Sequence, residues 1–461
     1  MPTESDPLLP HIDSGPPRKA NFFWLIPVVS VASICRGISM FARYEFYQNA
    51  FCPENISPCG WFTTWLQFPG VTVRMQMWAL FASFVVSFIS VGWWSELGDR
   101  KGRKIVLFCS IGGAMLIDLI YLIVANMSLH DDPQDTLSLG VIVDGLLGGF
   151  ISYNAVVHAY TFDVAPTPLS RLLLFGVLDT LSMVGFIVGA AIGNAASNST
   201  AYILSVVFAL LNLAFIYAVL PESLKPEDAT HQTPHPRPLL KSIVSPIFIF
   251  FRAGSRKHLL LFAFAFYMYS LTSAMDTRVL MYTESMRFIS WLPRWALLTL
   301  PRLLNVATFL CILPALAWHF KTKHGDTERA SLRLATAVTQ NSILLAVLAC
   351  LGVLVFCEPP RGAHALYTLF VAVLPLTAGA GPALYALGGA YLLALGRRGE
   401  IGALFGALSL WGALAQHESF VMYDDGSISF WLSTWLFIIA LLLLVPDGPS
   451  AAEDTGDAEG V

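Results

Sequence analysis

Long apolar runs are the feature that most restricts how this chain can fold. Each run is close to the roughly 20 residues that an α-helix needs to cross the hydrocarbon core of a bilayer. About twelve such runs occur, at residues 22–44, 77–97, 104–127, 137–160, 172–196, 200–220, 258–280, 295–318, 330–356, 364–392, 401–422 and 427–446. We therefore predict an all-α membrane protein with twelve transmembrane helices.

The composition argues against several other classes of protein. Hydrophobic residues make up 56% of the 461-residue chain and charged residues 13%, and the mean hydropathy is +0.64. The charged share is about half that of a soluble domain, which excludes a water-soluble enzyme, a disordered protein and a nucleic-acid-binding protein. Continuous runs also differ from the short alternating segments of an outer-membrane β-barrel.

A polar, proline-rich segment at residues 221–257 divides the runs into two sets of six. Paired helical bundles are typical of secondary transporters, whose substrate site lies between the bundles. We predict an N-terminal cytoplasmic tail at 1–21, helical bundles at 22–220 and 258–446 joined by a cytoplasmic linker, and an acidic cytoplasmic tail at 447–461.

Basic residues orient the predicted helices, because loops rich in Lys and Arg stay in the cytoplasm. With the N-terminus inside, the cytoplasmic segments hold most of the 27 Lys and Arg residues. The three glycosylation sequons, at Asn55, Asn126 and Asn198, then fall in outer loops. Cys52 and Cys59 share one outer loop in an oxidising compartment, which predicts a disulfide, with two free thiols as the alternative.

The N-terminal segment lacks the pattern of a cleavable signal peptide. Glu4 followed by Leu8 and Leu9 has the form of an acidic dileucine sorting signal. We expect a multi-pass protein of the plasma membrane or of a vacuolar or lysosomal membrane, with both termini in the cytoplasm.

The loop between the second and third predicted helices carries a specific motif. Residues 95–104 read S-E-L-G-D-R-K-G-R-K, in which Gly102 permits a tight turn and the basic residues favour the inner face. This segment resembles the loop signature of the major facilitator superfamily, G-x-L-a-D-r-x-G-r-k, with Ser95 in place of the first glycine. The resemblance implies two pseudo-symmetric six-helix bundles and transport by alternating access.

The fifth predicted helix resembles the antiporter motif of that superfamily. Four of its glycines match the motif and predict close helix packing: Gly176, Gly185, Gly189 and Gly193. Ala190 replaces the proline of the motif, and Asp144 on the fourth helix replaces an arginine of the antiporters, so a proton route through that arginine does not carry over. Gly379, Gly381 and Pro382 predict a break in the tenth helix.

Two shorter segments resemble particular groups within the superfamily. Ala159, Tyr160 and Asp163 resemble the same region of proton-coupled folate transporter-like and tetracycline exporter-like members. Residues 36–52 are similar to fungal general-substrate facilitators.

Charged residues inside the apolar runs are costly, so they usually have a partner or a function. Five of them form our predicted substrate and proton pathway: Arg36, Asp144, Asp179, Asp276 and Arg302. By resemblance, the first, fourth and seventh helices line the central cavity. We hypothesise that Arg36 and Asp144 form an ion pair there whose carboxylate takes up and releases a proton. A purely structural pair is the alternative.

A second group of residues lies at the predicted cytoplasmic ends of the helices. We predict that it forms a gate, locked by a charge network when the protein faces outward: Asp99, Arg100, Gly102, Arg103, Asp163 and Arg171. Independently solvated charges are the alternative.

These patterns together predict a secondary transporter that moves a small organic solute by alternating access, coupled to protons, with symport and antiport both open. A non-transporting membrane receptor or scaffold of the same fold is the alternative. We expect a monomer in the lipid bilayer, without enzymatic activity, catalytic residues, cofactor, metal or nucleic-acid partner.

Overall fold

The computed structural model of the chain describes residues 19–51, 71–126, 133–224, 248–251, 258–273, 303–324, 327–356, 364–422 and 426–444, together with residues 243 and 246. All regular secondary structure in this described part is helical. Each of the predicted apolar runs overlaps one or two of the observed α-helices.

The first bundle consists, in the described residues, of α1 (Leu25–Phe51), α2 (Val71–Lys101), α3 (Arg103–Asn126), α4 (Pro133–Leu146), α5 (Gly149–Val164), α6 (Pro168–Ala195) and α7 (Asn198–Ala218). A 3₁₀ turn, Phe22–Trp24, leads into α1. Helix α1 packs along α6 and α7, and α3 packs against α4 and α7.

Within the described part of the chain, the second bundle consists of α8 (His258–Ser273), α9 (Leu313–His324), α10 (Glu328–Phe356), α11 (His364–Val373), α12 (Ala380–Ala394), α13 (Ile401–Met422) and α14 (Gly426–Leu444). A π-helical turn, Thr308–Ile312, leads into α9. Helix α14 packs against α8 and α10, and α13 packs against α8.

The outer surface of these helices is apolar. Seven helices of the described part are long and apolar enough to cross a membrane, and Leu259–Leu271 and Trp431–Leu444 form shorter apolar helices. Large side chains point outward, with Tyr217 76%, Trp318 71% and Val355 71% exposed. Apolar exposure on this scale indicates a surface that contacts lipid or another protein.

Glycines allow α6 to lie directly on α1. A Cβ atom at Gly185 would be 2.8 Å from the carbonyl oxygen of Ser30, and Gly189 and Gly193 face the backbone of α1 at least as closely. Residues four apart share one helix face, so these three form the continuous contact that their spacing predicted.

Replacing Gly189 with leucine should destabilise the first bundle, because α1 occupies the space that the side chain needs. Overpacking of this kind costs about 1–3 kcal/mol. We expect a lower thermal midpoint in size-exclusion measurements of the purified protein. Gly112→Leu is the matched control, since a Cβ atom there meets no atom within 4 Å. An equal loss of stability in both variants would contradict the packing role.

One membrane helix of the first bundle is interrupted between α4 and α5. Gly148 has a φ of 105°, a left-handed conformation that glycine adopts without strain. Helix α2 satisfies backbone groups freed by the break. The Ser90 hydroxyl donates to the Gly145 carbonyl at 2.7 Å, and the Trp94 indole N–H donates to the Leu146 carbonyl at 2.9 Å. Such partners are needed because lipid supplies no hydrogen bonds.

A second interruption lies between α11 and α12, where Leu374–Gly379 forms a 3₁₀ helix. The sequence predicted a break in this membrane helix at Gly379, Gly381 and Pro382, of which Gly379 ends the 3₁₀ helix while the other two lie in the first turn of α12. It did not predict the break in the fourth membrane helix, although the Gly148-Gly149 pair was the available signal.

Candidate functional site

The two bundles meet along α2 and α13 at the end of the molecule that holds the loop at residues 98–104, which we call the basic-loop end. Ser95 on α2 packs against Gly406 on α13, and one turn further along α2 Asp99 reaches Gly402. Residues four apart lie on one helix face, so the contact runs along facing stripes of both helices. Small residues in these stripes let the helices approach closely.

Asp99 binds the first turn of α13. Its Oδ1 accepts a hydrogen bond from the backbone N–H of Gly402 at 2.8 Å, and its Oδ2 accepts one from Ala403 at 3.1 Å. N–H groups in the first turn of a helix have no partner within it, and the helix dipole favours a negative charge there. One carboxylate therefore joins the two bundles.

Arg103, the first residue of α3, links the carboxylate of Asp99 to α5. Its Nη1 lies 2.6 Å from Asp99 Oδ1, and its Nε lies 3.2 Å from Asp163 Oδ2 on α5. The Arg103 side chain is only 3% exposed. A buried charge is tolerated only with such partners, so the network holds α2, α3 and α5 in one arrangement against α13.

Glu222, which follows α7, belongs to the same network and was missed by sequence reasoning. Its carboxylate accepts hydrogen bonds from the backbone N–H groups of Arg103 at 2.8 Å and Lys104 at 3.1 Å. It therefore caps the start of α3, as an acidic group at a helix N-terminus does. The Ser223 hydroxyl donates to Asp163 at 3.3 Å. An acidic residue directly after a membrane helix was the available signal.

The other members of the predicted gate lie around this network. Gly102 has a φ of 113°, so the turn between α2 and α3 requires glycine. Arg100 pairs with Glu96 at 2.6 Å. The Arg171 guanidinium lies 4.3 Å from the centre of the Phe162 ring. All three residues are thus at the basic-loop end, but the inter-bundle link itself passes through Asp99.

A polar contact joins the bundles about three helical turns from that end. The Asn154 side chain on α5 donates hydrogen bonds to the hydroxyls of Tyr385 on α12 at 3.3 Å and Ser409 on α13 at 3.2 Å. His158 stacks on Tyr385 with ring centroids 4.0 Å apart, and its Nδ1 lies 2.8 Å from the Asn154 carbonyl oxygen. A carbonyl only accepts, so Nδ1 carries a proton.

Aromatic rings close the space around Tyr385. Phe175, Phe266 and Phe405 have ring centroids 6.1, 5.4 and 6.0 Å from it. Gly176, grouped by sequence with the packing glycines of α6, faces this interface instead, because a Cβ atom there would lie 3.0 Å from a methyl carbon of Leu313 on α9.

The face of α5 that contacts the second bundle becomes exposed toward the end opposite the basic-loop end. Asn154 and His158 contact the second bundle, but Phe150, one turn earlier, is 51% exposed. The guanidinium carbon of Arg36 lies 4.4 Å from the centre of the Phe150 ring and 4.1 Å from that of Tyr153. The described residues thus close the interface at the basic-loop end and leave this face of α5 exposed beyond it.

The hypothesised ion pair between Arg36 and Asp144 does not form. No carboxylate of the described residues pairs with Arg36, which the two aromatic rings stabilise instead. The ion pair of this region joins Arg43 to Asp118 at 2.6 Å, and the Ser205 hydroxyl donates to the second oxygen of Asp118 at 2.6 Å. Asp118 thus ties α1, α3 and α7 together.

Asp144 itself turns toward α3, which explains the missing pair. A Cβ atom at Gly113 would lie 3.2 Å from Asp144 Oδ1, and one at Gly149 would lie 3.6 Å from Oδ2. The absence of side chains at these two positions makes room for the carboxylate beside α3 and the start of α5.

Asp179 lies near the middle of the 28-residue helix α6. It is partly buried, and within the described residues its carboxylate has neither an ion pair nor a hydrogen bond. It lies within electrostatic range of Tyr385, and so close to the polar contact between the bundles. An acid without a counter-charge at this depth is expected to have a function.

Eight predicted residues lie outside the described part of the chain: Glu4, Leu8, Leu9, Cys52, Asn55, Cys59, Asp276 and Arg302. Of the other sequons, Asn126 is the last residue of α3 and Asn198 the first of α7. The Ser199 hydroxyl donates to Asn126 Oδ1 at 3.3 Å, so both sequons lie at the end opposite the basic-loop end.

The chain matches the family model of the Major Facilitator Superfamily over residues 25–417, a range that extends from the start of α1 into α13. The chain belongs to the major facilitator superfamily. It is accordingly an integral, multi-pass membrane protein of a transporter family, and its loop at residues 95–104 carries the signature of that superfamily.

Two curated members of the superfamily match parts of the chain. The MFS-type transporter avaJ of Aspergillus versicolor is 24% identical over 226 residues, which are 45% of this chain and 42% of avaJ. The multidrug resistance protein MdtG of Enterobacter lignolyticus (strain SCF1) is 32% identical over 174 residues, which are 36% of this chain and 37% of MdtG. The chain thus spans about two fifths of the length of each relative.

Solved structures of membrane transporters share the fold over most of the chain. The human organic anion transporter MFSD10 (TETRAN) has a TM-score of 0.69 at 18% identity and covers 92% of this chain and 100% of its own. The proton:xylose symporter XylE has a TM-score of 0.60 at 14% identity, with 92% and 95% covered. A bacterial homologue of ferroportin in the outward-facing state has a TM-score of 0.62 at 13% identity, with 92% and 98% covered.

Proposed function

We propose that this protein moves a small organic solute across its membrane by alternating access, coupled to the movement of protons. The asymmetry of the interface between the bundles carries the proposal. Asp99 and Asn154 join the bundles at the basic-loop end and near the middle, whereas Phe150 is exposed beyond them. An interface closed at one end is one of the two states that alternating access requires.

The proposed orientation places the basic-loop end, the linker and both termini in the cytoplasm. The concentration of Lys and Arg in the predicted inner loops supports it, as does the position of Asn126 and Asn198 at the opposite end. Glycosylation of the sequons and a disulfide between Cys52 and Cys59 belong to the outer side in this proposal. The closed state would then face outward.

Transport in this scheme requires the two bundles, residues 22–220 and 258–446, to rock against each other. The bonds of Asp99 to α13 and of Asn154 to Tyr385 cross the moving interface, so both must break when the basic-loop end opens. Both contacts consist of a few hydrogen bonds in a region of low dielectric, where a hydrogen bond is either fully made or fully broken. The interface can therefore adopt two discrete states, closed or open at the basic-loop end.

We assign the coupling proton to Asp179. A carboxylate without a counter-charge near the middle of a membrane helix can take a proton from one side and release it to the other as access changes. Tyr385, on α12 across the interface, lies within electrostatic range of Asp179 and supplies no positive charge. Arg36, Asp144, Asp276 and Arg302 complete the proposed pathway.

Solute-dependent proton flux tests the proposal. The full chain would be reconstituted into liposomes that contain a pH-sensitive dye and exposed to a panel of acidic, basic and neutral organic solutes. We expect at least one solute to move protons and to accumulate when a pH gradient is imposed. Solute uptake without proton flux would refute the coupling, and neither uptake nor flux would refute transport.

A reversible cross-link provides the control for that assay. An added Cβ atom at Gly406 would lie 3.2 Å from Ser95 Cβ, close to the roughly 3.5–4.5 Å between Cβ atoms in disulfides. A variant with Ser95→Cys and Gly406→Cys should therefore stop transporting when oxidised and recover when reduced. Full transport by the oxidised variant would show that this interface does not open.

A further inference from the structure

We propose that Arg36 and Tyr153 bind the anionic group of the transported solute, and that Phe150 packs against a flat apolar part of it. The substrate would then be a small organic acid. This inference rests on the transport function proposed above and names the chemical class of solute that the open part of the interface accepts.

Arg36 carries a charge that no group of the described chain neutralises by direct contact. Its guanidinium lies over the rings of Phe150 and Tyr153, at 4.4 and 4.1 Å from their centres. The ring faces attract the cation but supply no oxygen or nitrogen acceptor for its five N–H donors. Within the described residues no carboxylate forms an ion pair with it, so these donors are available to a ligand.

Tyr153 supplies an independent indication of a missing acceptor. Its side chain is only 3% exposed, and its hydroxyl has no hydrogen-bond partner in the described part of the chain. A buried hydroxyl without a partner is unfavourable, and most such groups in proteins are satisfied. A carboxylate beside Arg36 would accept from this hydroxyl and from the guanidinium together.

The other charges nearby do not already fill this position. Arg43 is paired with Asp118 at 2.6 Å. Asp144 lies within electrostatic range of Arg36 but is turned toward Gly113, without contact to the guanidinium. A carboxylate placed against the guanidinium of Arg36 is therefore attracted by that charge. Of the described residues, Asp144 is the one nearby negative charge without an ion-pair partner that would repel it. A cation at the same position would be repelled by Arg36.

Phe150 explains why the solute should carry a flat apolar part. It lies on the face of α5 that meets the second bundle at Asn154, yet half of its surface is exposed. Arg36 covers part of the Phe150 ring, so the uncovered part of this ring adjoins the position proposed for the carboxylate. Aromatic rings favour stacked or edge contacts with other flat groups.

Benzoate, benzyl alcohol and benzylamine are the probes for this site, because they share a ring and differ in charge. Each would be added at millimolar concentration to the purified full chain in detergent, and binding followed by the thermal midpoint. We expect benzoate alone to raise the midpoint. Arg36→Gln should raise the dissociation constant for benzoate at least about tenfold, since a hydrogen bond to a charged group is lost. Tyr153→Phe should weaken binding by less.

Three further variants separate recognition from folding. Arg36→Lys keeps the charge and should bind benzoate better than Arg36→Gln does, even if the glutamine variant is unstable. Asp144→Asn should tighten binding, because it removes a nearby negative charge. Lys323→Gln, an exposed change at the end of α9, should leave the affinity unchanged.

Four results would overturn the assignment: no stabilisation by benzoate, equal stabilisation by benzylamine, wild-type affinity in the Arg36→Gln variant, or weaker binding in the Asp144→Asn variant. Binding in detergent does not depend on transport. If benzoate does not bind but solute flux is observed, the binding proposal fails and the transport proposal stands. If benzoate binds but no solute flux is observed, the transport proposal fails and the binding site stands.

Discussion

An Asp99→Ala variant should lose the closed basic-loop end and most of its transport activity. The change removes a carboxylate from buried Arg103 and leaves the N–H groups of Gly402 and Ala403 without their acceptor. Removing one partner of a buried ion pair costs about 3–5 kcal/mol. Since the hydrogen bonds to Gly402 and Ala403 cross the interface, their loss falls on the closed state, and we expect the state open at the basic-loop end to predominate.

Labelling of a buried position measures that shift. A cysteine introduced at Ala155, which is 4% exposed and lies beside Arg103 at the interface, should react with a maleimide much faster in the Asp99→Ala background. Modification would be quantified by mass spectrometry of the peptide that contains position 155, because Cys311 is also exposed. Unchanged labelling would show that Asp99 does not hold this end closed.

Glu96→Gln is the matched control for Asp99→Ala. Glu96 lies on the same helix and also pairs with an arginine four residues later, but Glu96 and Arg100 are 14% and 24% exposed. Pairs accessible to solvent contribute only about 0–1 kcal/mol. We therefore expect little change in labelling or transport from this substitution.

An Asp179→Asn variant should keep solute exchange but lose proton-driven accumulation. Asparagine preserves the shape of the side chain and cannot ionise, so the solute can still cross while the coupling proton has no site. In proteoliposomes, accumulation under an imposed pH gradient should fall to the ratio expected for equilibration, and the uptake rate should lose its pH dependence. Exchange of labelled for unlabelled solute measures the retained step.

Asp118→Asn serves as the comparison, because Asp118 is a membrane-helix aspartate with a partner. Its charge is compensated by Arg43, so its loss should lower the thermal midpoint without changing the number of protons moved per solute. Normal accumulation by the Asp179→Asn variant would exclude Asp179 as the coupling group and leave the proton role to Asp144.

The sequence by itself determined the helical membrane fold and the chemistry of the basic-loop end. Lipid offers no hydrogen bonds to the backbone, so every long apolar run had to become a helix. The motif around Asp99 and Arg103 is local, with its partners one turn apart on α2 and at the start of α3. Gly185, Gly189 and Gly193 share a helix face by spacing alone.

Only the tertiary structure decided which charges meet. Arg36 lies on aromatic rings rather than on Asp144, Arg43 pairs with Asp118, and Glu222 caps α3 from across the chain. Asn154 and Tyr385 are separated by 231 residues and still form a hydrogen bond. Successive side chains of a helix point in directions that differ by about 100°. The sequence therefore indicates how deep a residue lies along its helix. The packing of neighbouring helices decides which way each helix is rotated, and hence which side chains meet.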